Sequence, residues 1–224
     1  MYGVTPDWDD NAKLVAAVEA AAAGGMRALQ LRHKSASAKQ RLELAQTLLP
    51  ICRRWQIPLI INDDWQLALT VDADGVHLGK DDDDPAHVRA EIGHDKVLGV
   101  SCYSDLDRAQ QMLEIGVDYV AFGAMFASGT KPQATSAALS TIADACALTE
   151  QIAPQAGVVA IGGITVDNAA SVLAAGARSL AVVGGLFNTH DIQTTARAFS
   201  ALMTPPGTDN TGGASIEAGE PNDH

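Results

Sequence analysis

Cysteine is scarce in this chain. Its three thiols, Cys52, Cys102 and Cys146, lie far apart with no CxxC spacing. An odd, scattered set supports neither a disulfide framework nor a thiolate metal site, and it fits a reducing compartment. Aromatic residues make up only 4% of the chain, whereas Ala and Gly abound. That balance favours helices packed closely on a sheet over a disulfide or repeat scaffold. Positive charge is also short, 15 Lys and Arg against 27 Asp and Glu, for a net charge of −12. Non-specific binding to nucleic acid or to an anionic membrane is therefore not expected, and an anionic ligand needs a local cluster of bases. No apolar run reaches membrane-spanning length, and no basic segment followed by an apolar core opens the chain. The expectation is a soluble, cytoplasmic protein with no membrane or nucleic-acid partner. No Cys–His or Ser–His–Asp arrangement is readable either, which points to electrostatics and positioning rather than a covalent intermediate.

What the chain does contain is a regular alternation. Short apolar runs occur at Tyr2–Val4, Ala28–Leu31, Leu59–Ile61, Gly75–Leu78, Val97–Ser101, Asp118–Gly123, Val158–Ile161 and Leu180–Val183. Each reads as a strand buried on both faces, as in a parallel sheet. Helical segments separate them: Asn11–Ala23, one capped by Ser37-x-x-Gln40 with a kink expected at Pro50, and Trp65–Val71. Further helices start at Asp84-Pro85, run over Ser104–Glu114 and Ala143–Ile152, start at Thr165-x-x-Asn168, and run over Thr194–Met203. No Gly-rich nucleotide fingerprint follows the first strand, and eight strands exceed a typical doubly wound sheet. The prediction is a single-domain (β/α)8 TIM barrel over residues 1–203. Residues 204–224, rich in Pro, Gly, Asn, Asp and Glu, are expected to form a disordered acidic tail.

The barrel is organised around Leu59 to Asp84. Two consecutive strands there end in acidic runs, Asn62-Asp63-Asp64 and Gly79 to Asp84. Parallel neighbours lie about 5 Å apart, so Asp63 and Asp82 can reach one hard cation such as Mg2+, shared with a substrate phosphate. The same residues also fit strand-end turns beside a solvated acidic loop, and the spacing alone does not choose. His77, flanked by Val76 and Leu78, reads as a packed, hydrogen-bonded histidine.

Active sites in such barrels lie at the carboxyl ends of the strands, with phosphate commonly bound after strands seven and eight. Gly162-Gly163 and Gly184-Gly185 stand there, and each pair lets backbone N–H groups approach an anion. Gln30, Arg32 and Lys34 alternate at the end of strand two, suiting a diphosphate held by metal and bases. Ser128, Thr130 and Lys131 bring two hydroxyls and a cation to the loop after strand six. Ser101 ends strand five, either to bond a ligand or merely to finish the strand.

Assembled in order, the segments YGVT at Tyr2, QLRHK at Gln30, IIND at Ile60, ADGVHLG at Ala73, GVS at Gly99, DYVAFG at Asp118, TKP at Thr130, AIGGIT at Ala160 and AVV at Ala181 resemble the thiamine phosphate synthase family. The resemblance spans Tyr2 to about Phe187. It implies condensation of an aminopyrimidine diphosphate with a thiazole phosphate to thiamine phosphate and pyrophosphate, through a dissociative, Mg2+-dependent step. By position it implies that Gln30, Leu31, Arg32, His33, Lys34 and Asn62 bind substrate, and that Asp63 and Asp82 hold Mg2+. Ser101 and Lys131 would contact the pyrimidine diphosphate; with Arg32 they are the catalytic set. Ser128, Gly129, Thr130, Gly163, Val183 and Gly184 would form the thiazole phosphate site. The chain departs from the family pattern at Lys80, usually Gln, and at Ser128, usually Thr. It also has Tyr103, Ala138 and Gly184 where His, Gly and Ser are frequent. Lys80 is expected to compete as a counter-ion beside the metal. Two rival readings are a thiazole tautomerase-like barrel, whose catalytic His would fall at Ala124, and a non-catalytic barrel that binds thiamine phosphates.

Overall fold

A computed structural model describes residues 1–127 and 137–204. Eight parallel strands close into a barrel in chain order: β1 (Tyr2–Val4), β2 (Ala28–Leu31), β3 (Leu59–Asn62), β4 (Gly75–Leu78), β5 (Val97–Tyr103), β6 (Tyr119–Phe122), β7 (Gly157–Ile161) and β8 (Ser179–Val182). The seam closes where Tyr2 pairs with Ala181 and Gly3 with Val182. Between and after them lie α1 (Asn11–Ala23), α2 (Ala38–Trp55), α3 (Trp65–Val71), α4 (Pro85–Ile92), α5 (Leu106–Ile115), α6 (Leu139–Ile152), α7 (Val166–Ala174), α8 (Gly184–Phe187) and α9 (Ile192–Met203). The predicted TIM barrel is the observed fold. No helix among the described residues is long and apolar enough to cross a membrane. Of the expected tail, 204–224, all but Thr204 lies outside the described residues.

Alternation along each strand divides the core in two. On β2, Leu29 and Leu31 face outward into the large core shared with the helices. Inside the barrel Tyr2, Val4, Ile60, Tyr119, Ala121, Val159 and Ala181 form a smaller cluster, with Ala28 packed against it. Period-two alternation sends neighbouring residues to opposite faces of the sheet, so each strand feeds both layers.

Helix α2 starts at the expected capping box: the Gln40 side chain accepts from Ser37 N at 2.9 Å, and Ser37 Oγ accepts from Gln40 N at 3.3 Å. It continues unbroken past Pro50. An interior proline costs roughly 3 kcal/mol. Burial of Leu44, Leu48, Leu49 and Ile51 along the same helix offsets it at about 2 kcal/mol each. Most boundaries shift by one or two residues, and three differences have a local cause. Strand β5 extends to Tyr103 through a register shift after Ser101. Helix α6 starts at Leu139 rather than Ala143, behind Ala138, which makes no side-chain cap. The four-residue α8 opens on the glycine pair that reads as a strand-ending turn.

Candidate active site

The ends of β2, β3 and β4 build the charged part of the barrel mouth. Just beyond β2 the Thr5 hydroxyl, itself buried, accepts from Arg32 N and donates to Arg32 O, both at 2.8 Å. Asp7, in the same loop after β1, accepts from Arg32 Nη1 at 3.4 Å and from Lys34 N at 2.9 Å. Both cations are thereby anchored beside β3. There Asn62 ends the strand, and Asp63 takes a left-handed backbone, φ 64°. Non-glycine residues adopt it uncommonly, and it clusters at functional sites. Asp63 N donates to His77 O at 2.8 Å, which stitches this turn to β4.

Asp82 approaches from the loop after β4. Gly79 N donates to its Oδ2 at 2.6 Å, and Trp65 Nε1 donates to the neighbouring Asp83 at 2.6 Å, fastening the acidic loop to α3. Asp82 lies near enough to Asp63 to act on its ionisation, and Lys34 Nζ lies 3.9 Å from Asp63 Oδ2. Burial, then Asp82, pushes the Asp63 carboxyl up to about 6, with Lys34 and Arg32 opposing. Two facing carboxylates that resist joint ionisation are a donor set suited to a hard divalent cation. Among the described residues no three His, Cys, Asp or Glu side chains gather as a metal cluster. A pair of carboxylates is the usual protein share for Mg2+, whose other ligands are water and phosphate. Lys80 is exposed and, among the described residues, makes no ion pair with either aspartate.

A second, neutral set fills the barrel interior below. His77 is buried, as expected, with Nδ1 2.9 Å from Tyr119 Oη and Nε2 2.9 Å from Ser101 Oγ. Its ring stacks on Tyr119 at 5.6 Å. Tyr119 Oη lies 2.9 Å from Tyr2 Oη, which accepts from Gln30 Nε2 at 2.8 Å. Gly99 permits this: a Cβ there would stand 1.9 Å from the Tyr119 ring. Ser101 therefore does more than finish its strand, since its hydroxyl terminates a buried polar chain at the mouth. Arg108 on α5 donates to Ser101 O at 3.0 Å and to Gly79 O at 3.1 Å. It ties the end of β5 to the loop that carries Asp82. Neither the tyrosines nor Arg108 carry a sequence signal for these roles, beyond Tyr2 and Tyr119 standing inside motifs at strand starts.

The family model for thiamine monophosphate synthase matches residues 1–186. The chain belongs to that family. The thiamine-phosphate synthase of Bordetella bronchiseptica is 55% identical over 205 residues, covering 91% of this chain and 94% of that one. That of Methylobacillus flagellatus is 51% identical over 203 residues, covering 91% and 94%. The solved thiamine phosphate pyrophosphorylase of Pyrococcus furiosus superposes with a TM-score of 0.78 at 28% identity, covering 90% of this chain and 94% of that one.

As a thiamine monophosphate synthase family member, the chain brings together Arg32, Lys34, Asp63 and Asp82, with Gln30 and Ser101 joined through the interior. Two residues expected among the substrate contacts turn elsewhere. Leu31 faces outward into the helix layer because alternation sends it there. His33 is buried under the loop after β1, its Nε2 3.1 Å from Trp8 O and Nδ1 3.3 Å from Ser35 Oγ. Gly163 sits after β7 at φ 65°, and a Cβ would meet Phe126 O at 2.5 Å. Its glycine is thus demanded by the fold whether or not an anion binds. Val183 follows β8 and Gly184 opens α8. Ser128, Gly129, Thr130 and Lys131 lie outside the described residues.

Proposed function

We propose that the protein is a thiamine-phosphate synthase, a transferase of thiamine biosynthesis that joins an aminopyrimidine diphosphate to a thiazole phosphate and releases pyrophosphate. The observation that carries this reading is the juxtaposition of Asp63 and Asp82 with Arg32 and Lys34 at one sector of the mouth. A diphosphate needs such a mixture of cations and metal-holding carboxylates. A thiazole tautomerase needs no metal pair, and Ala124 stands where that reading requires a catalytic His. Identity of 55% to a protein named thiamine-phosphate synthase supports the same choice, as do intact charged residues against a non-catalytic barrel.

In this reading Asp63 and Asp82 hold Mg2+, and Arg32 and Lys34 bind the diphosphate beside it, with Asn62 and Gln30 on the pyrimidine side. When bound, Mg2+ supplies electrostatic stabilisation of charge on the leaving pyrophosphate. Arg32, Lys131 and the Ser101 hydroxyl add donors to the same oxygens, which matter most as the carbon–oxygen bond breaks. The thiazole phosphate docks across the mouth, against backbone N–H groups near Gly163, Val183 and Gly184 and against Ser128, Gly129 and Thr130. Its ring nitrogen then meets the pyrimidine methylene carbon over the barrel axis, and positioning supplies much of the rate. Three free thiols and a biosynthetic role fit the cytoplasm.

The test is product identity. Purified protein given both substrates and Mg2+ should form thiamine phosphate, and omission of either substrate should abolish it. Turnover of a thiazole substrate alone would favour the tautomerase, and binding without product would favour the non-catalytic barrel.

A further inference from the structure

The polar chain through the barrel has a direction, and the direction follows from its inner end. Gln30 Nε2, a donor without a lone pair, lies 2.8 Å from Tyr2 Oη. Among the described residues the only other hydrogen-bond partner of that hydroxyl is Tyr119 Oη at 2.9 Å. Tyr2 is buried, so water does not take its proton. Its O–H must then donate to Tyr119. With Tyr2 donating, the Tyr119 proton goes to its remaining acceptor, His77 Nδ1, at 2.9 Å. A neutral imidazole that accepts at Nδ1 carries its proton at Nε2. That N–H points at Ser101 Oγ, 2.9 Å away.

We propose that this chain, Gln30 to Tyr2 to Tyr119 to His77 to Ser101, holds His77 as its Nε2–H tautomer and so turns the Ser101 hydroxyl outward as a proton donor toward the diphosphate. Tyr2, Tyr119 and His77 are positioning residues, since none needs to touch substrate to act. The proposal rests on the synthase reading for the identity of the anion. His77 is buried and both ring nitrogens face hydroxyls rather than a carboxylate, so the ring stays neutral and has one proton to place. The reverse direction requires the Gln30 amide turned over. It would also commit the Ser101 proton to His77 and leave oxygen lone pairs facing an anionic substrate, which is repulsive.

Nitrogen-detected NMR of protein labelled with 15N-histidine reads the tautomer directly. The chain has six histidines, and the His77 signals are those lost in His77→Gln. The expected result at pH 7 is a protonated Nε2 and an unprotonated Nδ1. In Tyr119→Phe both signals should move toward averaged positions, because Nδ1 has lost the donor that selected the tautomer. In the same variant kcat should fall about tenfold with a smaller change in KM, since the Ser101 proton matters most as charge builds on the leaving group. With Ser101→Ala already in place, Tyr119→Phe should lower kcat no further, the non-additivity of residues acting through one group. A protonated Nδ1 in the wild-type protein would overturn the proposal, as would fully additive effects of the two substitutions. Failure of the wild-type protein to form thiamine phosphate would remove the diphosphate as the target of Ser101, while the tautomer would still be decided by the spectrum.

Discussion

The Asp82 carboxylate lies close enough to Asp63 to help push its pKa up, although the two residues come from different strand ends, and the one ion pair that either makes among the described residues is Asp63 with Lys34, at 3.9 Å. Two separate devices hold this arrangement. A left-handed turn and a backbone bond to His77 O fix Asp63. Gly79 N and the Trp65–Asp83 bond fix the loop of Asp82. The fold thus keeps two like charges together with only one long ion pair, Lys34 to Asp63, to offset them, which makes sense where a divalent cation is part of the working state.

The two substrates should be separable by substitution. Arg32→Ala should raise KM for the pyrimidine diphosphate about tenfold or more and leave that for the thiazole phosphate within about twofold. Gly184→Val should do the opposite, since a Cβ at Gly184 meets only the movable Asn188 amide, at 3.2 Å. Gly163→Val is a poor probe because it strikes the Phe126 carbonyl. Initial rates with the other substrate saturating decide the matter, and loss of the same substrate in both variants would sink the two-sector arrangement.

Arg108 should matter although it touches no proposed substrate group. Its guanidinium serves Ser101 O and Gly79 O together. Arg108→Met leaves both carbonyls without that donor, at a cost of about 1–3 kcal/mol in stability. Because the Asp82 loop is loosened, the Mg2+ concentration for half-maximal rate should also rise. Arg108→Lys should recover part of both effects. Urea unfolding and a Mg2+ titration of the rate measure them.

The barrel count was legible because eight apolar runs and their capping residues each carry local information, as Ser37 with Gln40 and Asp84 with Pro85 do. Asp63 and Asp82 were legible as a pair because adjacent parallel strands must end side by side. The side chains of Leu31 and His33 point away from the mouth, because alternation turns the one to the helix layer and the Trp8 carbonyl holds the other, and the run QLRHK does not display that difference. The Tyr2–Tyr119 bond joins residues 117 positions apart, and Arg108 lies on a helix face whose contacts depend on how that helix docks. Neither leaves a periodicity to read. Helix α8 hides behind Gly184 and Gly185, which look like a breaker.

Acid should weaken the fold through His77. Its pKa is about 4 when buried and about 6.5 unfolded, so the unfolded chain binds more protons between these values. Stability is therefore lost as pH falls through this window, by about 2 kcal/mol from pH 7 to 5. The Met1 amino group, lowered to about 6, acts in the same direction, whereas Asp63, raised to about 6, acts in the opposite one. The clean reading is the difference: His77→Gln should lose less stability than wild type over that interval in urea melts. Equal losses would contradict the buried neutral imidazole.

Gly99 should tolerate no side chain. A Cβ placed 1.9 Å from the Tyr119 ring forces that ring off His77 and breaks the interior chain. Gly99→Ala should cost about 1–3 kcal/mol by overpacking and lower kcat, whereas Gly116→Ala, with nothing within 4 Å of its Cβ position, should pay only for its left-handed backbone and keep its kcat. Thermal melts and turnover of the two variants make the comparison.

The most direct measurement is the Mg2+ dependence of pyrophosphate release with both substrates present, in the wild-type protein and in Asp63→Asn and Asp82→Asn. The account predicts thiamine phosphate and pyrophosphate in equal amounts only with Mg2+. It also predicts a loss of about a hundredfold or more in each variant, with melting temperature kept because a repulsive pair has been relieved. Full activity in excess chelator, or variants that turn over like wild type, would contradict it.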